Sequence, residues 1–405
     1  MKRDTRPPKS PSVSREVLSP GKSKPPGRMG NWAFRLVLFF LSLSLALIFV
    51  EIYLRIYPPR GFRRVLDMGH ILQPDDFLGH SLKPNIQDSL LSEGGEGYRV
   101  ETNELGLRDH PYTGKQGRHN ILGLGDSFLF GEGVDQNKTM LDIIQNILEE
   151  QFPGKYRTIN AGVPGYATNQ EMAYYATRGE RLFDTDIVMV FFFINDVVLF
   201  DYTDKTHEWE GVPLPNAIGL NIPSQGESGL PEWRTLKVLK FWEKSREHQN
   251  AGPAPHPKPT SKLPIEASLF NTLTRPKREN KYANLKYLCS MLREKVKANG
   301  AELMFVYVPA ARETEEGEER KRYHADYYYH PSRWDWDYPS RRVEEVIQSI
   351  GIPFINLIPA FREHWRTTGR SLYFNGAGHL TEEGHHLAAQ TISPILAEQL
   401  KAKTK

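Results

Sequence analysis

Apolar residues are gathered along this chain in two ways: one unbroken run near the start, then short runs that alternate with helix-spaced stretches. Leu36 to Val50 carries no charge and is dominated by Leu, Phe, Ile and Val. As a helix it covers only roughly 22 Å. Its flanks extend it, because Arg35 and Glu51 can reach polar surroundings and Trp32, Tyr53 and Tyr57 suit an interfacial belt. Residues 32–57 therefore predict a transmembrane anchor, and no later segment matches its apolarity.

Residues 1–31 hold eight Lys or Arg against two acids, are rich in Pro and Ser, and lack apolar periodicity. They read as a disordered basic tail on the cytoplasmic side, leaving the rest of the chain to face outward. Arg55, Arg60, Arg63 and Arg64 on the other flank weaken that bias. A cleaved signal peptide is the rival expectation. The long basic stretch and the lack of a small-x-small site after the apolar run speak against it.

Residues 58–118 scatter Pro, Gly and Asp among few periodic stretches and predict an irregular lead-in. From His119 the pattern becomes regular. Asn120 to Leu124 is an apolar strand, Gln136 to Phe152 has helical spacing, Arg157 to Asn160 is a strand, and a helix starts near Gln170. Ile187 to Ile194 and Leu303 to Val308 are apolar strands, the second preceded by a helix over Lys281 to Asn299. Helix Arg341 to Ile350, strand Pro353 to Leu357 and helix Glu382 to Lys401 finish the chain. Short apolar strands alternating with helices predict an α/β domain over 119–402 with a parallel sheet covered on both faces. Such sheets carry their sites at the carboxyl ends of the strands. Residues 203–280 interrupt the series, with Pro crowding Ala251 to Pro264; they read as a flexible insertion, or as a lid or substrate platform.

The formal charge of +3 comes from the tail, since the tail's +6 leaves about −3 for everything after it. That excludes a basic nucleic-acid surface on the folded part. The single cysteine, Cys289, excludes an internal disulfide and a Cys-based zinc cluster.

Candidate chemistry lies at the predicted strand ends. Ser127 follows Gly125 and Asp126 directly after the first strand, on a turn entering a helix; it is a candidate nucleophile or simply a helix cap. Gly165, in the stretch from Asn160 to Thr168 (NAGVPGYAT), can offer a main-chain N–H, and Asn195 at the end of the most apolar strand can offer its amide to a developing oxyanion. Singly they read as a turn residue and a strand terminator. His379 stands in a loop before the last helix, with Thr381 as that helix's N-cap, and is the candidate base; His385 and His386 read as packing and exposed positions on the helix.

The blocks GDSF at Gly125, NAGVPGYAT around Gly165, FIND at Asn195 and GHLTEEGHH at His379 resemble, in order and spacing, the four signature blocks of the SGNH (GDSL) hydrolases. The stretch Glu104 to Asp109 (ELGLRD) is similar to one in the membrane-anchored bacterial branch. The resemblance implies a three-layer α/β/α sandwich with a central parallel sheet, flavodoxin-like and here preceded by one N-terminal transmembrane helix. It also implies Ser127 as nucleophile, His379 as base, Ser127, Gly165 and Asn195 as oxyanion donors, and no metal or organic cofactor. The family places an Asp two or three residues before its histidine, where this chain has Gly376 and Ala377. Three readings follow: a Ser–His dyad, an acid from elsewhere such as Asp335 to Asp337, or a non-catalytic glycan-binding protein.

The aromatic stretch Tyr323 to Tyr338 suits stacking on sugar rings, or it packs the insertion onto the domain. His324, His330, Asp335 and Asp337 fit no metal-ligand spacing. The expected activity is that of a serine esterase or O-acyltransferase, hydrolysing or moving an acyl group, most simply acetyl, on envelope or exported polysaccharide. The expected place is the outer face of a bacterial inner membrane. A lipase is a third reading.

Overall fold

The computed structural model describes residues 29–57, 68–199, 208–209, 212–213, 265–317, 319–321, 331–376 and 378–403. Residues 1–28 of the expected disordered tail, most of the 203–280 insertion, and His324 and His330 lie outside these residues, while Met29 to Asn31, expected in the tail, are helical. Met29–Ile56 forms one helix and belongs to a different compact unit from the α/β domain. Within it Trp32–Leu54 is long and apolar enough to cross a membrane, a test that a signal sequence also passes.

Residues 68–118, against the expectation of irregular structure, contain two antiparallel hairpins. In the first, β1 (Leu72–Asp75) pairs with β2 (Gly79–Leu82), and in the second β3 (Gln87–Leu91) pairs with β4 (Gly97–Glu101). Leu90, Tyr98 and Val100 face the core while Ser89 and Arg99 face outward. The alternation is real, but strands of four or five residues are too short for it to stand out from the turn residues between them.

The central sheet is built from β5 (His119–Gly125), β6 (Tyr156–Gly162) and β7 (Thr185–Phe193). After a two-residue pair, β8 (Glu208–Trp209) with β9 (Val212–Pro213), it continues with β10 (Glu302–Val308) and β11 (Phe354–Asn356). The order is β11-β10-β7-β5-β6, and every pairing is parallel. Side chains alternate between two cores. Val188, Val190 and Phe192 of β7 join Phe305 and Tyr307 of β10 on one face, under helices Thr168–Tyr174 and Glu279–Ala298. Ile187, Met189 and Phe191 join Met304 and Val306 on the other, where helices Met140–Gln151 and Glu382–Lys403 bring Ile144, Leu148, Ile392 and Leu396. The domain is thus the expected α/β/α sandwich. Both faces being covered explains why the strands read as continuous apolar runs.

The tail end of the expected insertion is packed: helix Ile265–Phe270 buries Ala267, Leu269 and Phe270. The chain leaves β5 for β6 on one side and returns to β7 on the other. The carboxyl ends of β5 and β7 therefore flank a topological switch point, the crevice where open α/β sheets bind ligands.

Candidate active site

The turn after β5 is set by close packing. A Cβ on Gly125 would lie 2.7 Å from Leu129 Cβ, so only glycine lets the strand pass so near the one-turn helix Ser127–Phe130. Asp126 caps that helix, accepting a hydrogen bond from the Phe128 N–H at 2.8 Å. Ser127 thereby stands at the sheet edge, 8% exposed.

Ser127 Oγ lies 2.8 Å from His379 Nε2. The histidine comes from the loop before helix Glu382–Lys403, where Thr381 Oγ1 accepts from the Gly384 N–H as the predicted N-cap. A carboxylate occupies the far side of the ring. Glu93 Oε1 lies 3.2 Å from His379 Nδ1, and Glu93 Oε2 accepts from the His379 main-chain N–H at 2.9 Å. Because a carboxylate only accepts, Nδ1 carries the proton and Nε2 is left to receive one from Ser127.

Glu93 sits at the tip of the β3–β4 hairpin, more than 280 residues earlier in the chain than the two positions where Gly376 and Ala377 offer no acid. The hairpin tip is docked on the histidine loop, where Asn375 Nδ2 donates to Glu93 O, and that loop is closed on itself by the Phe374 N–H donating to His379 O. Gly378 is what lets the carboxylate in, since a Cβ there would fall 1.7 Å from Glu93 Oε2.

The structure does not bring Asp335 or Asp337 to the histidine. Asp335 accepts from Arg275 and Arg341 at 2.9 Å each, which holds its carboxyl below the usual range despite burial, and Asp337 pairs with Arg362. Both are spent on guanidinium groups of neighbouring helices. His385 is buried as expected and accepts from the Met140 N–H. His386 is exposed.

Asn195 opens the helix after β7, and its Nδ2 donates to Asp126 Oδ2 at 2.9 Å. Gly165 is exposed with φ 83°, at a turn closed by the Tyr166 N–H donating to Val163 O. The turn is held from β2: His80 Nε2 donates to Pro164 O at 2.9 Å, and Tyr166 Oη donates to His80 O at 2.7 Å. Burial lowers the His80 pKa, consistent with a neutral ring. Glu171 and Asp196 are fully buried carboxyls that burial raises well above the ordinary range, the charge of Asp126 adding to both and that of Glu171 to Asp196.

A second carboxylate stands on the serine side of the ring. Glu132 Oε2 is 3.6 Å from His379 Nε2, and the residue is 4% exposed. Its loop is fixed by Arg108, a buried guanidinium that donates to the carbonyls of Phe130, Gly131, Arg99 and Val134 at 2.6 to 2.8 Å. Arg108 belongs to the Glu104 to Asp109 stretch, whose part in the site was not evident from residue pattern alone.

The chain resembles the SGNH hydrolases. All four blocks meet at one sheet edge, and a serine, a histidine and a carboxylate stand there in hydrogen-bonded sequence. No family model matches the chain, and no curated protein matches it. Among solved structures it is similar to an alpha/beta hydrolase from the metagenome of Lake Arreo, Spain (TM-score 0.37, 13% identity, covering 68% of this chain and 93% of that one). It is also similar to an acetyl xylan esterase of Geobacillus stearothermophilus (TM-score 0.36, 15% identity, 69% and 94%) and to the acetyl xylan esterase AlAXEase (TM-score 0.37, 12% identity, 67% and 97%). At such TM-scores the likeness carries no argument, and function has to be read from the site's own geometry. Among the described residues no group of His, Cys, Asp and Glu is arranged to hold a metal ion.

Proposed function

We propose that this chain is a serine esterase or O-acyltransferase working through an acyl-enzyme on Ser127. The observation that carries the reading is the hydrogen-bonded series Ser127 Oγ, His379 Nε2, His379 Nδ1, Glu93 Oε1. His379 takes the serine proton as Oγ attacks an ester carbonyl, and the imidazolium that forms is stabilised by Glu93. In this reading the Gly165 N–H, the Asn195 amide and the Ser127 N–H are the donors to the oxyanion. His379 then gives its proton to the leaving alcohol, and later activates water or a hydroxyl to release the acyl group. The carboxylate at Nδ1 favours this reading over a glycan-binding protein without activity.

The substrate we infer is an O-acyl, most simply acetyl, ester of envelope or exported carbohydrate. A cavity of about 710 Å³ lined by Trp334, Trp336 and Trp365 together with Thr314, Arg320 and Asp337 supports it, since aromatic faces mixed with hydrogen-bonding groups suit sugar rings. The wall is tied to the site. Glu315, between Thr314 and Glu316 of that wall, accepts from the Leu372 N–H, and neighbouring Tyr373 pairs with Leu380 beside His379. The apolar helix near the N-terminus and the basic residues before it support a single-pass anchor in a bacterial inner membrane with the domain outside.

The test is fluorophosphonate labelling and acetyl-ester turnover by the full-length chain in detergent, with Ser127→Ala and His379→Ala as controls. Labelling and turnover that vanish in both variants are expected. Turnover that survives Ser127→Ala would sink the mechanism.

A further inference from the structure

We propose that Glu132 is a catalytic residue of the second half-reaction: it accepts a hydrogen bond from an acyl acceptor that carries two hydroxyl hydrogens, water or a vicinal diol, and so selects it over a monohydric alcohol. This rests on the acyl-enzyme reading above.

The position of Glu132 is a built one. It lies between Gly131 (φ 81°) and Gly133 (φ 102°), both in the left-handed region. A Cβ on Gly131 would meet Thr139 Cγ2 at 2.4 Å, and one on Gly133 would meet the Phe374 ring at 2.5 Å. Arg108 clamps the carbonyls on both sides of the residue, and the Glu132 N–H donates to Ser127 O at 3.0 Å. The loop is thus tied to the nucleophile's turn, to the histidine loop through Phe374, and to a buried cation. The result is a second buried carboxylate at the nitrogen that handles the reacting proton. Glu93, on Nδ1, already orients the ring.

The chemistry of deacylation gives that carboxylate a task. The acceptor oxygen forms a bond to the acyl carbonyl carbon while His379 Nε2 takes its proton. The tetrahedral intermediate then collapses, the C–Oγ bond breaks, and the Nε2 proton returns to Ser127 Oγ. An attacking hydroxyl must therefore sit within hydrogen-bond reach of Nε2, and Glu132 Oε2 is only 3.6 Å from that nitrogen. Water offers one hydrogen to Nε2 and its other to Glu132. A vicinal diol does the same with its two hydroxyls, keeping the second proton throughout. An alcohol with one hydroxyl gives its only hydrogen to Nε2 and turns an alkyl group toward a buried carboxylate, so the hydrogen bond that water or a diol makes to Glu132 is not made. Sites built to hydrogen-bond a group reject analogues lacking it.

The experiment uses the full-length chain in detergent with p-nitrophenyl acetate as donor and ethanol or ethylene glycol as added acceptor. It reads the p-nitrophenol burst and the acetyl products. The wild type is expected to acetylate ethylene glycol at least about tenfold faster per hydroxyl than ethanol. In Glu132→Gln, which keeps the shape, and in Glu132→Ala, which removes the acceptor, the burst should persist while deacylation slows. The glycol-to-ethanol ratio should fall toward one, further in the alanine variant. A burst with the ratio unchanged by both substitutions would overturn the role of Glu132 alone. Absence of any Ser127-dependent burst in the wild type would overturn it together with the acyl-enzyme reading.

Discussion

Glu93 and His379 are 286 residues apart in the chain, yet one carboxylate holds the histidine twice, at ring Nδ1 and at the main-chain N–H. The double contact fixes the tautomer and stops the ring from turning away from Ser127. Glu93→Gln can still bond the main chain but no longer stabilises the imidazolium. We expect acetyl-ester turnover to fall on the order of 10⁴-fold, as when a triad acid loses its charge, with an unchanged circular dichroism spectrum. A loss under about tenfold would mean the histidine works as half of a dyad.

Gly378 should matter for the same reason from the other side. Gly378→Ala puts a methyl group where Glu93 Oε2 lies and 2.9 Å from Phe374 O. The carboxylate must leave, at a cost of about 1 to 3 kcal/mol for overpacking. The variant should therefore lose activity much as Glu93→Ala does. Adding Gly378→Ala to Glu93→Ala should cost less than Gly378→Ala does alone, because the clash with Glu93 is gone and only the approach to Phe374 O remains. Fully additive losses in that cycle would show that Gly378 acts through something other than Glu93.

The places of Ser127, Gly165, Asn195 and His379 in the fold could be read from the sequence because each follows a strand or precedes a helix whose apolar pattern is strong. Glu93 could not. It lies at the tip of a hairpin whose strands each have five residues, and nothing local marks it as facing the far end of the chain. The run Glu93 to Glu96, two acids around two glycines, marks a turn but not its destination. Arg108 was hidden in another way. Its four acceptors are main-chain carbonyls, which leave no trace in residue identity.

His385 gives the fold a measurable response to acid. Burial pushes its pKa down to about 3, and its Nδ1 accepts the Met140 N–H, so a proton on that nitrogen has no place. In the unfolded chain the imidazole protonates below about 6.5. Between those values the unfolded state holds more protons. Stability is therefore full above about pH 6.5 and is lost as pH falls toward 3, by up to about 1.4 kcal/mol per pH unit. Asp109, pushed up to about 6, and Glu313, up to about 7, contribute the opposite slope. They are common to the wild type and to His385→Gln, so the comparison cancels them. Urea unfolding at pH 7 and pH 5 should show the wild type losing more stability than the variant. Equal losses would mean that His385 is protonated in the fold.

Asn195 has one amide hydrogen committed and one left. Nδ2 must be the atom facing Asp126, because an amide oxygen there would oppose a carboxylate, and that bond aims the second hydrogen away from Asp126. On the acyl-enzyme reading its target is the oxyanion. Asn195→Ala should therefore lower turnover about 10² to 10³-fold while KM changes little, since the donor acts on charge that develops only in the transition state. Asp126→Ala removes the constraint without removing the donor, so a smaller loss is expected, and Asn195→Ala on that background should cost less than it does alone. A turnover within tenfold of wild type in Asn195→Ala would make Asn195 the terminator of β7 and leave Gly165 and Ser127 as the oxyanion donors.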